Sequence, residues 1–99
     1  MTNVEEEVLI CALRYALGRH TYIVSVIADN VKNNINKLSQ KTIGVMAKDI
    51  QEVIKEGEPE LATNKMDYST WKKLLSTLFG VMTQETKKWF EDNTGEKVI

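Results

Sequence analysis

Apolar residues recur every three or four positions along most of this chain, the spacing of amphipathic helices rather than strands. In the first segment Val4, Val8, Cys11 and Tyr15 share one face, and Leu9, Leu13, Ala16 and Leu17 form a second apolar surface. After Glu7 only Arg14 interrupts this run. A helix apolar nearly all round is expected to be central and buried. Its start is marked twice, since Thr2 with Glu5 and Asn3 with Glu6 both have capping-box spacing. Glu5, Glu6 and Glu7 also suit the positive end of a helix dipole. Gly18 is the natural residue beyond its last turn.

Thr21 is the candidate N-cap of the second segment, where Val24, Ile27, Ala28, Val31, Ile35 and Leu38 keep helical spacing. Tyr22 to Ile27 is rich in β-branched residues and leaves a short strand open, but the periodicity continues to Leu38 and favours helix. Asn30, Asn33, Asn34 and Asn36 are weak helix formers and are assigned to an exposed face. A third helix opens after Ser39, with Ile43, Met46, Ala47, Ile50, Val53 and Ile54 as its stripe and Gly57 as its end. Gly44 inside it costs about 1 kcal/mol relative to alanine and marks a close helix crossing.

Residues 57–66 combine Gly57, Pro59, Glu58, Glu60, Thr63 and Asn64, and read as the one long loop. Asp67 is the candidate cap of a fourth helix carrying Trp71, Leu74, Leu75 and Leu78. Gly80 and Thr83 either divide it from a fifth helix at about 84–93 or lie within one long helix. Gly95 ends it in both cases. The expectation is an all-α domain over 1–95, a compact bundle of four to five amphipathic helices, with a loose tail at 96–99. Short connections favour antiparallel neighbours.

Composition agrees with a folded domain. The 99 residues are 42% hydrophobic and 27% charged, ordinary for globular proteins. A chain of this length buries roughly 60–70% of its unfolded surface, enough for one modest core without staples. The single cysteine, Cys11, makes no internal disulfide; in an apolar run it is expected to be a buried, inert small hydrophobe. A reducing compartment follows. Three glutamates precede the apolar stretch from Val8 to Leu17 where a signal peptide carries lysine or arginine, and the stretch is too short to span a bilayer. The expected location is cytoplasmic, with no membrane partner.

Net charge is −1, but it is distributed in blocks: −3 over 1–13, +4 over 14–41, −3 over 42–61 and +1 over 62–99. No basic stripe forms. One histidine and one cysteine give no zinc spacing, and no calcium loop, phosphate-binding loop or nucleophile elbow occurs. Asp49 and Glu52, three apart, read as solvated acids. The expectation is a protein that is not an enzyme and takes no cofactor or metal.

Three clusters remain as functional candidates. Arg14, Arg19, His20 and Tyr22 group both arginines with the one histidine, either as a contact patch for a protein or anion or as structure. In the structural alternative Arg14 satisfies carbonyls or pairs with Asp29 or another acid. Lys88 and Trp89 form a second patch, since tryptophan is enriched at the energetic centres of interfaces. Trp71 is assigned to the core, and Trp89 is left between core and surface. Lys32, Lys37 and Lys41 are the candidates for phosphate contact in the alternative reading, a small nucleic-acid-binding regulator.

The string Ala12-Leu13-Arg14-Tyr15-Ala16-Leu17-Gly18-Arg19 followed by Thr21-Tyr22 resembles the opening of small proteins carried by phages and mobile elements of Gram-positive bacteria. Asp67 and Trp71 resemble a later Asp-x-x-x-Trp feature of the same group. The resemblance implies a phage-associated accessory protein that binds a host or phage protein, inhibition of a host defence system being one such action. A protein partner is therefore expected, with a homodimer as a further expectation.

Overall fold

A computed structural model describes the backbone of residues 1–17, 21–61 and 65–98, with side chains except at 21, 22, 56–61 and 65–68. Five α-helices follow in order: α1 (Asn3–Ala16), α2 (Thr21–Asn33), α3 (Gln40–Leu61), α4 (Lys65–Gly80) and α5 (Gln84–Thr94). A 3₁₀ turn (Ile35–Lys37) lies between α2 and α3, and no strand occurs among the described residues. The all-α bundle expected from the periodicity is the observed fold. The radius of gyration of 12.6 Å matches the roughly 13 Å of a compact chain of this length.

The central helix is α3, which packs against α1, α4 and α5, while α2 packs against α1 and α4. One contiguous core joins Leu13 of α1, Val24 and Val31 of α2, Ile43, Met46 and Ile50 of α3, Trp71, Leu74 and Leu78 of α4 and Phe90 of α5. Each of these side chains contributes about 1.5–3 kcal/mol by leaving water. Trp71 is wholly buried, as its spacing predicts, but its Nε1 has no hydrogen-bond partner among the described residues. An orphaned donor of this kind costs about 1–3 kcal/mol. The hydrophobic return from the indole outweighs that cost only because the ring packs on all sides.

Several expectations are corrected. The first helix is peripheral rather than central: its buried face is Glu6, Ile10, Leu13 and Ala16, whereas Val4, Val8, Cys11 and Tyr15 are exposed. Periodicity offers two apolar faces there, and only the neighbours decide between them. Arg14 does pair with an acid, one of the alternatives the sequence left open, but the acid is Asp49 of α3, through Nε to Oδ2 at 2.7 Å, so Asp49 is not the solvated acid its spacing suggested.

The second helix stops at Asn33 instead of running to Leu38. Asn34 explains the stop. Its Nδ2 donates to the carbonyl of Asn30 at 2.8 Å, while its backbone N–H is shared between the carbonyls of Asn30 and Val31. A side chain that competes for helix carbonyls tightens the last turn into 3₁₀ geometry. Thr21 is the first helical residue of α2, not the cap before it.

Residues 57–61 belong to α3, so the loop expected at 57–66 is shorter than its breakers suggested. Proline removes the hydrogen bond to the carbonyl four residues back. At Pro59 that loss falls in the final turn, with only two residues of helix beyond it. Asp67 is then the third residue of α4, in its first turn, rather than its cap. Residues 62–64 lie outside the described residues, as does Gly18, the expected terminator of α1.

The C-terminal region divides into two helices. Thr83 is the N-cap of α5, its hydroxyl accepting the N–H of Thr86 at 3.2 Å, and Gly95 is the C-cap at φ 74°. In the segment read as a loose tail, the N–H of Val98 donates to Glu91 at 2.9 Å and Glu96 pairs with Lys55 at 3.6 Å.

Candidate functional site

The surface feature with the most unusual chemistry lies between α3 and α5. Trp89 is 39% exposed and lies over Gly44. The wall of this groove is completed by Gln40, Lys41, Val45, Glu85 and Thr86, around a volume of about 360 Å³. That is at the small end of ligand-sized clefts. Its lining is mostly apolar, with one cationic and one anionic residue at the margin.

The groove follows from local sequence. The side-chain amide of Gln40 grips the turn between α4 and α5 from both sides: Nε2 donates to the carbonyl of Val81, and Oε1 accepts the N–H of Thr83, each at 2.9 Å. Thr83 is itself the cap of α5. Gln40 therefore fixes where α5 begins, and one turn further along α3 Gly44 leaves room for what α5 carries. A Cβ at Gly44 would lie 3.2 Å from Cε3 and Cζ3 of Trp89 and 3.4 Å from Cγ2 of Thr86. The close crossing expected at Gly44 is present, and Trp89 is its partner. Phe90, the next residue, is fully buried and meets Phe79 edge to face at 5.0 Å, which locks the rotation of α5 and holds Trp89 at the rim.

The other sequence candidates are scattered. Lys88 is exposed beside Trp89 but does not line the groove. Arg14 is on a different side, paired with Asp49, and remains 56% exposed at its side chain. The bond to Asp49, and then the carboxylate's charge, raises the affinity of the Arg14 guanidinium for its proton. Arg19 and His20 lie outside the described residues, and of Tyr22 only the backbone in α2 is described. The proposed Arg14–Arg19–His20–Tyr22 patch is therefore represented by Arg14 alone.

Lys32, Lys37 and Lys41 do not line one surface by themselves. Lys32 is half-buried at the end of α2, and Lys37 is exposed in the 3₁₀ turn, where its charge is felt by Glu5. Lys41 sits between two clefts that also hold Glu6, Glu7 and Glu85. Lys37 and Lys41 both have acidic neighbours, which weakens a phosphate-binding field there.

Sequence reasoning passed over Gln40 and Thr86 and gave Glu6 a role only at the start of its own helix. Glu6 is buried, and its carboxylate accepts the N–H of Ser39, the residue whose hydroxyl caps α3 at the N–H of Thr42. An anion at a helix start is favoured by the helix dipole. A glutamate predicted only to serve its own helix thus serves another one. Ser39 as a cap was legible; its partner 33 residues away was not.

Among the described residues, no group of three His, Cys, Asp or Glu side chains is placed to hold a metal ion, and no helix is long and apolar enough to cross a membrane. Comparison with models of known families, with curated proteins and with solved structures found no match to this chain.

Proposed function

We propose that this chain is a non-enzymatic protein-binding module, and that the groove between α3 and α5 is where it meets its partner. The observation that carries the reading is Trp89, a large aromatic held at the rim of an apolar groove instead of in the core. Tryptophans placed this way dominate interface energetics, because they bury much area at low entropic cost. The occupant that fits is an apolar side chain projecting from a partner protein, flanked by polar groups that meet Lys41 and Glu85. The biological setting we attach is that of a phage or mobile-element accessory protein acting on a host or phage protein. That setting rests on the resemblance carried by Ala12 to Arg19.

The test is capture from host-cell extract with the intact chain. Trp89→Ala is expected to lower partner affinity by about 30-fold or more, the scale of a 2 kcal/mol hot spot. The variant should remain folded at the assay temperature, with unchanged helical circular dichroism and a somewhat lower melting temperature, since the ring is 39% exposed and the rest packs on α3. Equal capture by parent and variant would overturn the assignment. Retention on DNA or RNA that falls steeply with salt would instead support the nucleic-acid reading.

A further inference from the structure

The two helices that bound the Trp89 groove run side by side in the same direction. Gln40 meets Thr83, Gly44 lies against Thr86, and Lys55 pairs with Glu96, so residue numbers rise together along α3 and α5. Lys41 and Glu85 are each the second residue of their helix, and they line opposite walls of the groove. Four residues on, Val45 and Trp89 line the same walls. Seven residues on, Lys48 and Asp92 continue each row by one more turn. Each row therefore reads charged, apolar, charged over about 10 Å. The charges are lysines on α3 and acids on α5. Among the described residues, Lys41, Glu85 and Asp92 form no ion pair, and Lys48 reaches Glu52 at 3.9 Å.

Two neighbouring rows of opposite charge are complementary to each other, and a two-fold axis brings them together. With the axis lying along the groove, α5 of one copy lies over α3 of the other. Both rows step by four residues and then three, so one register makes every match. Glu85 comes opposite Lys41 of the second copy, Trp89 opposite its Val45 and Asp92 opposite its Lys48. Symmetry makes each match twice. The exposed part of each indole then leaves water against the other copy's Val45. A partner surface of one sign fits less well. An acidic one, nucleic acid included, meets Glu85 and Asp92, and a basic one meets Lys41 and Lys48, and like charges in contact oppose binding.

We infer that the α3–α5 face is a self-association surface, on which a second copy of this chain packs its α5 over the first copy's α3 about a two-fold axis along the groove. The inference rests on the reading of the Trp89 groove as a protein-binding surface, and it names the occupant when no other protein is present. Two short helix rows bury less than a standard-sized interface, so the dimer is weak and reversible and yields the groove to a tighter partner.

Sedimentation of the full chain between about 10 µM and about 1 mM tests this, a range chosen to span weak affinities. The parent should rise from one to two chain masses across the range. Trp89→Ala should stay at one mass throughout, with unchanged helical circular dichroism. Lys41→Glu and Glu85→Lys should each lose the dimer when alone. An equimolar mixture of the two should regain it, because each copy then meets the opposite charge at both places. A parent that stays at one mass to the highest concentration overturns the inference, as does a Trp89→Ala variant that still doubles. A mixture that fails to regain the dimer, with both variants folded, overturns the crossed register. If the parent stays at one mass while Trp89→Ala lowers capture of another protein, the second copy is excluded and the groove reading stands. If Trp89→Ala abolishes doubling but leaves capture unchanged, the dimer stands and other proteins bind elsewhere.

Discussion

The ring of Trp89 packs over the Cα of Gly44 so closely that an added Cβ would stand 3.2 Å from two of its carbons. That distance is tight but not prohibitive, and the indole has solvent on one side into which it can move. Gly44→Ala gains about 1 kcal/mol of helix propensity and displaces the ring by a few tenths of an ångström. The expected outcome is a melting temperature within a few degrees of the parent, with red-shifted Trp89 fluorescence and weakened partner capture. A large loss of stability would mean that the ring cannot yield.

Glu6 holds the start of α3 from α1, through a carboxylate that is almost fully buried. A hydrogen bond to an ionised group contributes about 1.5–3 kcal/mol, and losing it strands the N–H of Ser39. Glu6→Ala is expected to lower unfolding free energy by about 2 kcal/mol. Glu6→Gln, which keeps an acceptor but removes the charge, should cost less. Urea denaturation of the three proteins measures the order, and an Ala variant as stable as the parent contradicts it.

Two exposed glycines at helix ends should respond oppositely to the same substitution. Gly95 sits at φ 74°, where a side chain is strained. Gly80 ends α4 without positive φ and has open space where a Cβ would go. Gly95→Ala is expected to destabilise by about 1 kcal/mol. Gly80→Ala is expected to stabilise by about 0.4–1 kcal/mol, largely by restricting the unfolded chain. Thermal unfolding of both variants reads the two signs directly.

The capping box at Thr2 makes a pH prediction. Glu5 accepts the backbone N–H of Thr2 at 3.1 Å, and the Thr2 hydroxyl accepts the N–H of Glu5 at 3.1 Å. These bonds, helped by the N-terminal charge and Lys37, hold the Glu5 carboxyl below its usual value. A carboxyl whose value is lowered on folding adds stability above its unfolded value, and that contribution is lost as pH falls through the folded one. The first turn of α1 should therefore fray only at pH below the normal carboxylate range. An NMR titration should show the Glu5 midpoint below the usual glutamate value, and Thr2→Ala should raise it only part of the way, since the backbone N–H of residue 2 remains.

Features governed by neighbouring residues were legible along the chain. Thr2, Ser39, Thr83 and Gly95 each mark a helix end where the chemistry of caps puts one, and Trp71 lies in the core as its spacing implies. Features governed by distant partners were not. The spacing of α1 offered Val4, Val8, Cys11 and Tyr15 as readily as Leu13 and Ala16, because periodicity specifies a stripe and not the side on which α3 waits. Asp49 could not be matched to Arg14 across 35 residues. The groove was half legible: Gly44 announced a close approach and Trp89 an aromatic of unsettled placement, but nothing local joined them. Their meeting depends on Gln40 reaching residues more than 40 positions away.

That reach has a dynamic consequence. The last helix leans chiefly on α3, with Phe90 against Phe79 as its link to α4, and its entry is held by a single glutamine side chain. Gln40→Ala removes that hold and is expected to loosen the start of α5 before the other helices. Amide protons of residues 87–94 should then exchange with solvent sooner than those of 43–50, and whatever settles beside the indole would slow them.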